Sequence, residues 1–229
     1  MLVFWLFASL DYNQNMLRLD PIIKQLPTKS FEKGEIILKP GDIPKNGYIP
    51  ITGVIATYSI DHHGIERRII SAKEYELVPN NWLISPGVPV DYYYRAYTDV
   101  VCGLADRRGF PKLLMDNPEA LYELLLVQDN RMQAAKYRIE TLIQPRAIDK
   151  LLYMFRYIIQ RVSIPTDNKK WVQTIFPLTQ AEFADALGIT RETAAKDLSQ
   201  LEKDGVIKSK SKGIYLINTN KLSQRTGEK

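Results

Sequence analysis

The chain has 229 residues, 45% hydrophobic and 25% charged, with 31 Lys and Arg against 26 Asp and Glu for a net charge of +5. This composition excludes wholesale disorder, a collagen-like fibre and a multi-span membrane protein, and the length suits one large or two small domains. The charge is unevenly spread, with 16 basic and 17 acidic residues in 1–144 but 15 and 9 in 145–229, so a polyanion is the expected partner of the last third. A single cysteine, Cys102, excludes an internal disulfide and any zinc or iron–sulfur site built on several thiolates. It fits a reducing, cytoplasmic setting. Residues 1–10 are almost wholly apolar, but the run lacks a basic flank, is too short to span a bilayer and meets Asp11 at once. The first fifteen residues therefore read either as a mis-assigned start before Met16 or as an apolar flap, and no membrane association is expected.

From Ser30 to Asp106, short apolar stretches at 35–39, 47–51, 54–60, 67–71, 92–98 and 100–105 are punctuated by Gly34, Gly41, Gly47, Gly53, Gly64 and Gly87. Strands of this length with a turn signal about every ten residues predict an antiparallel, jelly-roll-like β-roll or barrel over residues 1–110, rather than βαβ units. Cys102 and the tyrosines at 92, 93, 94 and 97 read as core. On a strand the adjacent His62 and His63 would face opposite ways, and beside Gly64 they read as surface histidines of a turn, so no metal site is expected.

Residues 111–144 change to helix formers, with Pro118 placed for the first turn of a long helix. Leu121, Leu125, Gln128, Met132, Ala135, Ile139 and Leu142 follow an unbroken 4-3-4-3-4-3 spacing. That is a heptad seam, and it predicts a dimerisation helix and a homodimer; a helix lying on its own domain has the same kind of stripe. Pro145 ends it. A second helix is expected over 147–162, a loop over 163–170 and a strand over 171–176.

Residues 145–229 form the third region, and 177–218 carry the chemistry. Thr179 and Glu182 have capping-box spacing, so a helix starts there and runs through Phe183 and Leu187 to a turn at Gly188. Thr190 caps a second helix from Arg191 to about Asp204, closed by Gly205. Ala194, Leu198 and Leu201 must face inward, which leaves Glu192, Lys196, Ser199 and Lys203 outward with Arg191 at the shoulder. This is a helix-turn-helix whose second helix presents donors and acceptors suited to the major groove. Arg191 can fork onto guanine and Glu192 can accept from cytosine, so Arg191 with Glu192 is expected to read a G·C-containing step. Gln180, Thr190, Thr193 and Ser199 are expected on phosphate. Strands at 206–209 and 214–218, with Lys208, Lys210 and Lys212 along the hairpin, read as a wing; Lys210 and Lys212 are also expected on phosphate. The partner implied is double-stranded DNA.

The segment 179–193, Thr-Gln-Ala-Glu-Phe-Ala-Asp-Ala-Leu-Gly-Ile-Thr-Arg-Glu-Thr, resembles the DNA-binding signature of the Crp/Fnr transcription regulators. Phe31-Glu32-Lys33-Gly34-Glu35-Ile36-Ile37, then Pro40-Gly41-Asp42, Tyr48-Ile49 and Gly53-Val54, is similar to the first strands of that family's cyclic-nucleotide-binding-like β-roll. The resemblance implies an α+β protein: an N-terminal β-roll, a long dimerisation helix and a C-terminal winged helix-turn-helix. It also implies a bacterial homodimer on a palindromic operator, with RNA polymerase as a further partner and Arg191, Glu192 and Lys196 touching bases. Relatives often carry Arg at the position of Lys196, where lysine offers only a point charge.

Nucleotide-binding members carry Gly-Glu-Leu and, further on, an Arg-Ser or Arg-Thr pair. The corresponding regions here, 76–82 and 89–95, lack the glycine and the ribose-directed glutamate in those places, and Arg95 is shifted along its strand. Control by cAMP is therefore not expected, no cofactor is predicted, and no ligand residues are assigned. Two other readings remain at this level: a ligand-responsive module whose winged helix binds a protein, and an enzyme, for which no Ser/His/Asp set or paired carboxylates are present.

Overall fold

The computed structural model describes residues 18–161, 163–174, 177–210 and 213–227, apart from the side chains of residues 160 and 161. The first fifteen residues with their apolar run at 1–10, the ends of the expected 147–162 helix and 171–176 strand, and Lys212 lie outside the described residues. The chain divides into two compact units, Met1–Arg131 and Met132–Lys229.

The first unit opens with a short helix, α1 (Leu19–Lys24), and continues as β1 (Thr28–Phe31), β2 (Ile36–Leu38), β3 (Gly47–Thr52), β4 (Ile55–Ile60), β5 (Glu66–Ala72), β6 (Tyr93–Ala96) and β7 (Val100–Ala105). These strands form two antiparallel sheets, ordered β1-β7-β3 and β2-β6-β4-β5. The expected β-roll is present, with α1 and β1 added. Tyr94 and Ala96 of β6 join Phe31, Leu38, Ile55, Val100 and Cys102 in one buried cluster, so by the two-residue period of a strand Tyr93 and Arg95 lie on the opposite face. The tyrosines expected as core thus divide: Tyr94 is buried, Tyr93 and Tyr97 are half-buried and Tyr92 is exposed. Gly53 turns β3 into β4 at φ +83°, and a Cβ there would lie 2.2 Å from the Asp99 carbonyl oxygen, so only glycine fits.

Cys102 is fully buried, and burial pushes its thiol up to about 12. Because the thiolate is the reactive form, native protein at neutral pH is expected to resist iodoacetamide and to be alkylated at once in denaturant; rapid native labelling would contradict this burial. His62 and His63 stand exposed in a turn fixed by Asp61, whose carboxylate accepts from the N–H groups of His63 and Ile65. Their rings lie 3.8 Å apart, so they do not face opposite ways as strand residues would.

A second cluster of the first unit gathers Leu19, Ile23, Trp82, Phe110 and Leu114, the last two from α2 (Gly109–Met115), with Leu124 and Val127 from α3 (Pro118–Ile143). The long helix is continuous, and the division between units falls within it. Its buried positions are Ala120, Leu124, Val127, Arg131, Ala134 and Thr141, the first five in a 4-3-4-3 stripe one residue ahead of the predicted seam and Thr141 one heptad beyond Ala134. Four of the seven seam residues are left uncovered: Leu125, Met132 and Ile139 are 58–60% exposed and Leu142 is 42% exposed, with Tyr122, Leu126 and Ile143 also exposed beside them. Leu121, Gln128 and Ala135 are half-buried.

The second unit contains the rest of α3, then α4 (Ala147–Arg161), β8 (Ser163–Pro165), β9 (Trp171–Thr174), α5 (Gln180–Leu187), α6 (Arg191–Lys203), β10 (Ile207–Ser209), β11 (Tyr215–Asn218) and α7 (Thr219–Thr226). Its antiparallel sheet runs β10-β11-β9-β8. The start of the stretch expected to be a loop at 163–170 is thus an edge strand, and α7 is an additional helix. Phe155, Phe183 and Tyr215, with ring centroids 5.3–5.8 Å apart, centre the core, and Leu198, Leu201, Val206 and Leu222 complete it. Among the described residues no helix is long and apolar enough to cross a membrane.

Candidate nucleic-acid interface

The helix-turn-helix is built by its caps. Thr179 Oγ1 accepts from Glu182 N at 3.1 Å while the Glu182 carboxylate accepts from Thr179 N at 2.8 Å, closing the capping box predicted for α5. Gly188 takes the left-handed conformation at φ +63°, which ends α5 and turns the chain toward α6. Two cations meet the carbonyl end of α5: Arg138 donates to Ala186 O, and Lys150 Nζ to Leu187 O at 3.4 Å.

Thr190 caps α6, its Oγ1 accepting from Thr193 N at 3.2 Å and lying 3.0 Å from Thr193 Oγ1. Both threonines expected on phosphate therefore also hold the start of the helix. Replacing Thr190 by Ala is expected to cost about 0.5–2 kcal/mol of stability, read from urea unfolding; an unchanged midpoint would show that the cap contributes nothing.

Burial sorts α6 as the spacing requires. Ala194, Leu198 and Leu201 are at most 5% exposed, while Arg191, Glu192, Lys196, Ser199 and Lys203 are exposed, as is Gln180 at the start of α5. The wing strands pair in register, Lys208 opposite Leu216 and Ser209 opposite Tyr215. Gly213, at φ +78°, accepts from Leu178 N at 2.9 Å and ties the hairpin to the residue before α5. Lys210 is exposed and donates to Gln173 Oε1 at 2.9 Å, and Lys208 lies over the Trp171 ring at 4.6 Å. Lys210 thus starts from an intramolecular bond; Lys212 is outside the described residues.

Several contributors were hidden from sequence reasoning. Glu202 Oε1 accepts from Ser209 N at 2.8 Å, linking α6 to the wing. Lys221 and Arg225 of α7 reach Asp204 at the end of α6. Only their four-residue spacing on a polar C-terminal stretch could have signalled them, and it names no partner.

In the roll, Glu76 is 1% exposed, its carboxylate 3.9 Å from Arg131 Nε, and Arg131 Nη1 donates to Leu77 O at 2.8 Å. A buried glutamate thus stands beside Leu77, preceded by Tyr75. Arg95 forks onto Glu66, with Nη1 2.9 Å from Oε1, and lies over the Tyr58 ring at 4.3 Å, on the sheet face opposite Tyr94 and Ala96.

A β-roll, a long helix with an uncovered apolar seam and a capped, winged helix-turn-helix define a DNA-binding regulator. The family described as cyclic nucleotide-binding domain matches residues 28–117, and that described as Crp-like helix-turn-helix domain matches residues 146–225. The transcriptional activator protein FnrL of Cereibacter sphaeroides is 27% identical over 82% of this chain and 75% of its own length. The global nitrogen regulator of Synechococcus elongatus is 24% identical over 87% and 90%. The structure of FixK2 from Bradyrhizobium japonicum shares the fold with a TM-score of 0.68, at 17% identity over 87% of this chain and 96% of that one. The chain belongs to the Crp/Fnr family: it is a transcription regulator with a helix-turn-helix DNA-binding domain, and not an enzyme. Regulators of this family bind DNA and act as dimers.

Proposed function

We propose that this regulator binds a two-fold-symmetric operator as a homodimer formed along Leu121, Leu125, Gln128, Met132, Ala135, Ile139 and Leu142, and that it does so without cyclic nucleotide. Arg191, Glu192 and Lys196 read bases, and Gln180, Thr190, Thr193, Ser199, Lys210 and Lys212 meet phosphates. The protein works in the cytoplasm, and RNA polymerase is its partner on the promoter.

The observation that carries this reading is the division of α6 between a buried apolar stripe and an exposed stripe beginning at Arg191 and Glu192. A helix held by its apolar side presents the other to a groove, and its capped start places backbone N–H groups toward phosphate oxygens. Independence from nucleotide is supported by Arg95, which lies on the outer face of its sheet in an ion pair with Glu66. A buried phosphate diester needs a paired cation.

Selection from a pool of randomised duplexes, with purified protein and no nucleotide, tests this. The expected product is an inverted repeat with half-sites about 10 base pairs apart, bound equally well after cAMP is added. Binding without sequence preference, or only with cAMP, would overturn the proposal.

A further inference from the structure

We infer that α7 is part of the reading head, Lys221 and Arg225 acting as positioning residues that set the orientation of α6 from its far end. The inference rests on the DNA-reading role proposed for α6 and adds a segment to which no DNA-reading role has been assigned.

An aspartate at the end of a helix is unfavourable on its own, because the unpaired carbonyls there already carry partial negative charge. Asp204 nevertheless occupies the C-cap of α6. Two cations from one face of α7 compensate: Lys221 Nζ donates to Asp204 O at 2.7 Å and Arg225 Nη2 to Asp204 Oδ2. Gln200 Nε2, one turn back on α6, donates to Asp204 Oδ1 at 2.8 Å. The next residue, Gly205, has φ +68°, and a Cβ there would lie 2.7 Å from Lys221 Nζ, so the glycine both turns the chain and leaves room for the ammonium.

The clamp is itself anchored. Asn218 caps α7, its Oδ1 accepting from Lys221 N at 3.1 Å, and Leu222 is buried in the core cluster that contains Leu201. Glu202 holds the wing through Ser209 N. The last turn of α6 is therefore tied to both following elements, while Arg191 and Glu192 stand at the other end of a 13-residue helix. Over roughly 20 Å of helix, a tilt of about 5° at the clamp shifts those side chains by roughly 1.7 Å. A constellation of side chains needs placement to about 0.5 Å, so such a shift is enough to spoil a bidentate contact. The side chains of Arg225 and Asp204 are 42% and 30% exposed, and exposed pairs add little stability. Loss of the pair should thus appear in selectivity before it appears in folding.

The test uses the full chain, the inverted repeat it selects and an unrelated duplex of equal length. Arg225→Asp and Asp204→Arg are each expected to lower the preference for the repeat about tenfold, toward the lower end of the range for one base contact, with melting and the salt dependence of binding unchanged. The double swap is expected to restore the preference. Arg225→Gln, which removes the charge without repelling Asp204, carries the same expectation as the first variant and serves if that one unfolds. Unchanged selectivity in the Arg225 variants would overturn the inference while leaving the proposed function intact. A shallower salt dependence that the double swap does not repair would also overturn it, because Arg225 would then be touching phosphate directly. A wild-type chain that selects no inverted repeat would remove the proposed function and this inference together.

Discussion

Replacing Ile139 by Asp is expected to yield monomers and to abolish retention of operator DNA at concentrations where the wild type is fully bound. Ile139 is 60% exposed on a helix otherwise fixed by its other stripe, so the single chain should tolerate the change. In a two-helix seam the same position is enclosed by apolar side chains of the facing copy, and an uncompensated carboxylate there costs several kcal/mol. Losing the second copy also removes the effective concentration that joins two half-sites, a factor of about 10² to 10⁴. Sedimentation velocity reads the oligomer and a gel shift reads the operator. Gln133→Asp, on an exposed residue outside the heptad, should remain dimeric and bind. An Ile139→Asp protein that stays dimeric would place the interface elsewhere.

The seam shows how far one sequence can be read. Its period was legible, but two heptad stripes run along this helix one residue apart, and only the fold shows which one is already occupied. Ala120, Leu124 and Val127 meet the first unit's own core, while Leu125, Met132 and Ile139 remain uncovered. The helix-turn-helix was legible residue by residue because its signals are local: Thr179 with Glu182, Gly188, and Thr190 each act within one helical turn. Elements fixed by distant partners were not. Ser163–Pro165 contains a proline and reads as loop, yet it forms the outer strand of its sheet, where a missing N–H is tolerated. Thr28–Phe31 buries only Phe31 and is held as a strand by its pairing with residues 100–103. The pairing of buried Glu76 with Arg131, 55 residues later, is likewise one that no local pattern connects.

Alanine at Arg191 and at Glu192 is expected to weaken binding to the selected operator by about 1–3 kcal/mol each, or roughly 5- to 150-fold, while binding to unrelated DNA changes little for Glu192. The asymmetry follows from charge. Arg191 adds a cation to a basic unit, so its loss also makes the salt dependence shallower by about one phosphate contact if it touches the backbone, and leaves it unchanged if its guanidinium is spent on a base. Glu192 is an anion facing a polyanion, so its only favourable partner at the interface is a base donor such as the cytosine amino group. Removing it should therefore relax the preference at one base pair and raise affinity for the substituted sites. Lys196→Arg is the informative gain, because the fork that lysine lacks restores a bidentate donor on the same exposed stripe and should sharpen selection of guanine at one position. Competition binding against a panel of single-base operator variants resolves all three. Uniform loss across the panel for Arg191→Ala and Glu192→Ala would mean that this stripe positions the helix and that the sequence is read elsewhere.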